Sequence, residues 1–218
     1  MLVTNREVYD ILKSKHPPFP IEHWALSYPD KYELTEESIF DKEFEFTLIG
    51  RPNPFFIRLL DEYCMKHPDF TYIKNNDNIH DRKFINHKGE IVADGNSRNS
   101  YLDMIKKTKI SCYTTPGLDE SKLDSNRFNQ VTPRLFELLC NGCQVIGHYP
   151  IAADTEWYEL PNIIQNVDNY KQFERVLDKM RTTSFDKKSV IEFMKRHYTS
   201  VRAHELKKIL GKYNICLP

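Results

Sequence analysis

From about residue 44 onward, short apolar runs alternate with stretches whose apolar residues recur at helical spacing. That rhythm predicts βα units feeding a parallel sheet. Phe44–Ile49 reads as a strand ending at Gly50, and 54–66 as a helix with Phe56, Leu59, Leu60 and Tyr63 on one face. Phe70–Ile73 reads as a second strand. Segment 74–98 is polar, with Lys83–Asn86 and Glu90–Ala93 flanking His87-Lys88-Gly89 as a strand pair or an extra short strand. A helix capped by Ser100 runs to Lys107, and Ile110–Thr115 is the next strand. The helix 133–141 is the best marked, with Thr132 as N-cap, Pro133 at the first helical position and Gly142 as its stop. Cys143–Gly147 returns as a strand, Asp154–Glu159 forms a helical turn, and Ile163-Ile164 a last strand. Two closing helices, 169–181 and 186–211, complete the pattern.

The first thirty residues do not join this rhythm. Met1–Val3 ends a strand, and Thr4 with Glu7 forms a capping box that opens a helix to Lys15. Pro-rich 16–20 and Tyr28-Pro29-Asp30 then break the chain. We expect residues 1–32 to be the remnant of an N-terminal domain and its linker, with 33–218 the main domain; an ordinary N-terminal arm is the alternative.

Charge and composition narrow the partners. The 31 basic and 31 acidic residues cancel, and the short lysine runs are scattered, so no basic field points to nucleic acid. No apolar stretch is long enough to cross a bilayer and no leader is visible, so a cytoplasmic location is expected. Five cysteines, three of them within apolar runs, fit a reducing compartment.

Ligands of an open α/β sheet bind beyond the carboxyl ends of its strands. Two turns there carry suitable chemistry. At Gly50-Arg51-Pro52-Asn53-Pro54, Gly50 permits a tight turn and Arg51 offers a guanidinium to a diphosphate, although a plain turn with a surface arginine reads equally well. At Thr132-Pro133-Arg134-Leu135-Phe136-Glu137, a helix N-terminus favours an anion, Arg134 sits beside it, and Glu137 one turn in could accept ribose hydroxyls or merely complement the dipole. Cys140-Asn141-Gly142-Cys143 has CxxC spacing but closes a helix, and without a second pair it reads as packing. His80-Asp81 and His87 read as surface residues, and Asp154-Thr155-Glu156 as either a cap or a sugar contact. Walker, GxGxxG, GxSxG and HExxH motifs are absent from the sequence.

The stretch Arg134-Leu135-Phe136-Glu137-Leu138-Leu139-Cys140-Asn141-Gly142-Cys143-Gln144-Val145-Ile146 resembles the group-1 type glycosyltransferases of GT-B fold, in the branch with a pRxFExxxxG helix. The likeness extends over roughly 44–210, through Tyr101-Leu102, Lys109-Ile110-Ser111, Asn166–Tyr170 and His197–Arg202. It implies the C-terminal, Rossmann-like half of a GT-B architecture, binding a nucleotide-sugar. Glu137 would be the ribose-binding glutamate, with Arg51 and Arg134 as diphosphate contacts. Many relatives carry a further glutamate eight residues earlier, where this chain has Asn129, so their retaining mechanism does not carry over.

The resemblance further implies transfer of a sugar to a glycan or lipid-linked acceptor, membrane-associated in some cases, as in polysaccharide biosynthesis. No cofactor or metal is expected, and no DxD-like motif is present. The catalytic base belongs to a second domain or partner chain, so the enzyme is incomplete as this chain alone. A nucleotide-sugar epimerase of the same fold and a non-catalytic binding module are the alternatives. The latter predicts an exposed apolar patch near Trp24–Tyr32.

Overall fold

The computed structural model describes residues 1–50, 52–76, 78, 80–118 and 128–215. In chain order the elements are β1 (Leu2–Val3), α1 (Arg6–Ser14), β2 (Glu22–His23), β3 (Phe44–Leu48), α2 (Pro54–Lys66), β4 (Ile73–Asn75), β5 (Lys83–Asn86) and β6 (Ile91–Asp94). There follow α3 (Arg98–Lys107), β7 (Thr108–Thr114), α4 (Pro133–Cys140), β8 (Gln144–His148), α5 (Ala153–Trp157), β9 (Gln165–Asn166), α6 (Tyr170–Thr182), α7 (Lys187–Met194) and α8 (Thr199–Gly211).

The described residues form a seven-stranded sheet in the order β6-β5-β4-β3-β7-β8-β9. Neighbours from β4 to β9 pair in parallel, whereas β5 and β6 are antiparallel additions at one edge. This is the Rossmann-like α/β architecture expected of the alternating pattern. Because β3 is central, the chain leaves it once toward β4 and later returns on its other side as β7. The strand order therefore reverses between β3 and β7, which opens a crevice at their carboxyl ends.

Both faces of the sheet are covered, as a parallel sheet requires. Phe46, Leu48, Ile110, Cys112 and Ile146 point to one face, where Phe56, Leu60 and Tyr63 of α2 meet Phe173 and Leu177 of α6. Ile49, Tyr113 and Val145 point to the other, against Met104, Ile105, Leu135, Phe136, Leu139 and Val190 of α3, α4 and α7. The period-two alternation along each strand divides these two cores. Cys140 and Cys143 are free and buried, and burial pushes their thiols up to about 12 and about 11, so they pack rather than react.

Several boundaries differ from the sequence pattern. Phe70 and Tyr72 are buried, but pairing starts only at Ile73, where β3 lies alongside. Ser97 rather than Ser100 caps α3, accepting from the Ser100 N–H at 3.0 Å. Asn5 rather than Thr4 caps α1, and Glu7 instead accepts the Asn129 N–H at 2.9 Å. The last strand falls on Gln165-Asn166, two residues beyond Ile163-Ile164. The final long helix is two, α7 and α8. Between them the Tyr28 N–H bonds to His197 O at 2.8 Å and the Thr199 N–H to Tyr28 O at 3.0 Å, so a strand-like crossing interrupts the helical ladder.

Residues 1–32 are tied to this body. The β1–β2 pair is a separate parallel ladder, and Trp24 donates its indole N–H to Arg202 O at 2.9 Å. Ala25 and Tyr28 are buried, whereas residues 29–32 are exposed, Tyr32 among them at 41%. Other exposed apolar side chains of the terminal segments include Met1, Leu2, Ile11 and Phe19, and Tyr213 and Ile215. No helix among the described residues is long and apolar enough to cross a membrane.

Candidate functional site

The switch crevice is built by local sequence on both sides. After β3 the chain turns at Gly50, whose φ is +82°. A Cβ there would lie 2.5 Å from the Arg134 guanidinium, so glycine is what lets the arginine lie across the turn. Asn53 then caps α2 by accepting the Phe55 N–H at 2.9 Å and donates its amide to Thr114 Oγ1 at 3.2 Å. That bond pins the turn after β3 to the end of β7. Across the crevice, Thr132 stands at the N-cap of α4 without a side-chain capping bond, and its N–H donates to the Tyr113 hydroxyl at 2.9 Å.

A cavity of about 670 Å³ opens at this edge of the sheet. It runs from Gly50, Pro52 and Arg134 to Tyr101 and Arg98, and on to Arg82 and Asn96 of the added hairpin. Such a volume lies in the range of small-molecule and cofactor sites. The hairpin owes its place to strand pairing, with Gly95 N–H to Arg82 O at 2.9 Å and Arg82 N–H to Asn96 Oδ1 at 2.8 Å. Asn75, at the end of β4, lines the same cavity, and its Oδ1 is buried with no hydrogen-bond partner among the described residues.

Positive charge dominates the walls. Arg82 and Arg134 have no carboxylate within ion-pair distance among the described residues, whereas the nearby Asp81 and Asp94 are both engaged by Lys83 at 3.0 Å. Hydrogen bonds from Asn96 and Lys83 hold the Asp81 carboxyl below its usual range. Arg98, the first residue of α3, pairs with Glu137, and Tyr101 donates its hydroxyl to the other Glu137 oxygen at 3.0 Å. Burial pushes the Tyr101 phenol up to about 12, so it remains a donor at neutral pH.

The expected residues are therefore distributed unevenly. Gly50 and Arg134 line the cavity; Arg51 lies outside the described residues. Thr132 and Glu137 do not line it. Glu137, only 7% exposed, sits behind Arg98 and Tyr101, which do. Sequence reasoning missed Arg82 and Arg98 as site residues because segment 74–98 carries no hydrophobic period to place them, and Tyr101 because its helix could be read without showing that this side chain faces the crevice. The signal that could have found them is the polar cluster Asn75, Asn76, Asn78 and Arg82 immediately after a strand.

Asp154 is not in this cavity. It is fully buried and accepts the Arg6 N–H at 2.8 Å and the Val131 N–H at 2.6 Å, which anchors the segment leading into Thr132 beneath α1. Asn129 accepts from the Thr115 hydroxyl at 2.8 Å. His87 accepts from or donates to Thr71 at 2.8 Å, on the flank of the sheet.

No protein-family model matches the sequence, and no curated protein sequence matches it. Among solved structures, a chain of the GtfA/B complex superposes with a TM-score of 0.60 at 10% identity, covering 97% of this chain and 44% of that one. The glycotransferase of kitacinnamycin gives 0.44 at 11% identity over 87% and 49%, a likeness too low to argue from. The first comparison shows a shared fold, the Rossmann-like half of a GT-B architecture. This chain thus spans less than half the length of the chain it matches.

Proposed function

We propose that this chain is the donor-binding domain of a glycosyltransferase, which moves a sugar from a nucleotide-sugar to a glycan or lipid-linked acceptor. The observation that carries the reading is the arginine-walled cavity at the strand-order reversal, with a carboxylate one layer behind it. Diphosphate oxygens would lie against Arg134 and the turn at Gly50, joined by Arg51 if the resemblance holds there. As the glycosidic bond breaks, charge develops on the leaving diphosphate, and fixed guanidinium groups stabilise that charge without reorganising. The pentose would lie toward Glu137, which stands one layer behind the wall and whose carboxylate suits a ribose hydroxyl.

The acceptor and the base come, on this reading, from a further domain or a partner chain. Supporting it, α1 leaves every one of its residues at least partly exposed despite a marked apolar face, with Ile11 45% exposed.

Calorimetry with UDP and GDP on wild type and Glu137→Ala tests the proposal. We expect binding by wild type and a loss of about tenfold or more in the variant, the size of one or two charge-assisted hydrogen bonds. Equal affinities would remove Glu137 from the site, and no binding by wild type would leave the module reading in its place. Incubation of donor alone, with product analysis, separates transfer from epimerisation.

A further inference from the structure

The Glu137 carboxylate is the one group of the proposed site that a ligand could not reach as the side chains stand. Its Oε1 is held by Arg98 Nη2 and its Oε2 by the Tyr101 hydroxyl at 3.0 Å, and both of those residues form the cavity wall. The two partners differ in freedom. Tyr101 is half-buried and rises from the second turn of α3, so its ring is fixed by packing against the core. Arg98 is the first residue of α3 and its side chain is 59% exposed, with its guanidinium over the Tyr101 ring at 4.8 Å from the centroid. It can swing about that stacking contact at little cost in packing. Arg134 and Arg82 line the same cavity, neither with a carboxylate partner among the described residues. An anion between them would draw a third guanidinium, because an arginine pairs with phosphate in the same forked geometry as with a carboxylate.

We propose that Arg98 is a two-position latch, closed on Glu137 as seen here and turned to the phosphates when a nucleoside diphosphate occupies the cavity. The exchange frees one Glu137 oxygen for a pentose hydroxyl while Tyr101 holds the other, so the hydroxyl and phosphate contacts are made together. It rests on the donor-site reading above and adds a selection rule to it. A nucleoside without phosphates must break the Arg98–Glu137 pair and offers Arg98 nothing in return, whereas a diphosphate replaces what it breaks. The site therefore prefers diphosphates by more than the fixed arginines alone would supply, and Arg98 is the residue that sets the preference.

The test is a ligand ladder of uridine, UMP and UDP, with guanosine, GMP and GDP in parallel, on wild type, Arg98→Ala and Tyr101→Phe. Affinities are read by calorimetry for the nucleotides and by displacement of bound diphosphate for the nucleosides, with circular dichroism confirming that each variant is folded. In Arg98→Ala the ratio of diphosphate to nucleoside affinity should fall about tenfold to a hundredfold, with the nucleoside binding as well as or better than in wild type. Tyr101→Phe should leave that ratio within about twofold of wild type, since it removes a fixed partner of Glu137 and not the exchanging one. If Arg98→Ala weakens nucleoside and diphosphate by one common factor, or changes neither, the latch is wrong and the donor site stands. If Tyr101→Phe shifts the ratio as far as Arg98→Ala does, the effect is general support of Glu137 and the latch is again wrong. Failure of wild type to bind either diphosphate sinks the donor reading itself.

Discussion

Asp154 offers a sharp test of how the N-terminal segment supports the site. Its carboxylate is fully buried and takes two backbone N–H groups, one from Arg6 and one from Val131. Burial wins over those two bonds and pushes its acid constant from 3.8 up to about 6. A rise of that size corresponds to ~3 kcal/mol of folding free energy. Since the folded value lies above the unfolded one, the stabilisation is complete below about pH 3.8 and is lost as pH climbs through about 6. Between pH 4.5 and 8 the loss should be ~2 kcal/mol. Asp154→Asn has no such titration. Its amide keeps one acceptor and turns an NH2 toward the second N–H, which costs ~1–3 kcal/mol relative to the protonated wild type. Equilibrium urea unfolding of both proteins at pH 4.5 and 8, with equal slopes, gives the comparison. The gap between wild type and variant should narrow by ~2 kcal/mol from the lower pH to the higher. A gap that stays constant across that range would refute the claim that burial controls this carboxyl.

Three further outcomes follow from the same structure. Gly50→Ala forces an alanine to φ +82° and drives its Cβ into the Arg134 guanidinium, so stability should drop by ~1–2 kcal/mol in urea unfolding and UDP affinity should drop with it. Burial holds the His197 imidazole down at about 3, so its contribution is full above about pH 6.5 and fades as pH falls toward 3; His197→Gln should flatten the acid limb of the stability profile by up to one proton. Cys112, Cys140 and Cys143 should react with an aromatic disulfide reagent only on the time scale of unfolding, because they are buried and their thiols are pushed up by burial.

Local sequence was sufficient wherever one segment decides its own geometry. The helix at Pro133 could be read from Pro133 and Gly142 because a missing N–H is tolerated only at a helix start and φ +73° suits glycine at its end. Here Gly142 is also pressed against Phe40, a contact no local pattern announces. Strands β3, β7 and β8 were legible because a two-sided buried sheet demands apolar residues on both alternations. What the sequence could not specify was adjacency between distant segments. Strand pairing brings the hairpin beside β4, and so puts Arg82 and Arg98 in the same wall as Arg134; the order in which strands pair is a property of the whole sheet. The fate of Glu137 illustrates the same limit. Its place one turn into α4 was evident from the sequence, but whether its oxygens face a ligand or an arginine depends on α3, thirty-nine residues away in the chain. Hydrophobic period determines which face of an element is buried, and only the assembled packing determines which charges then meet.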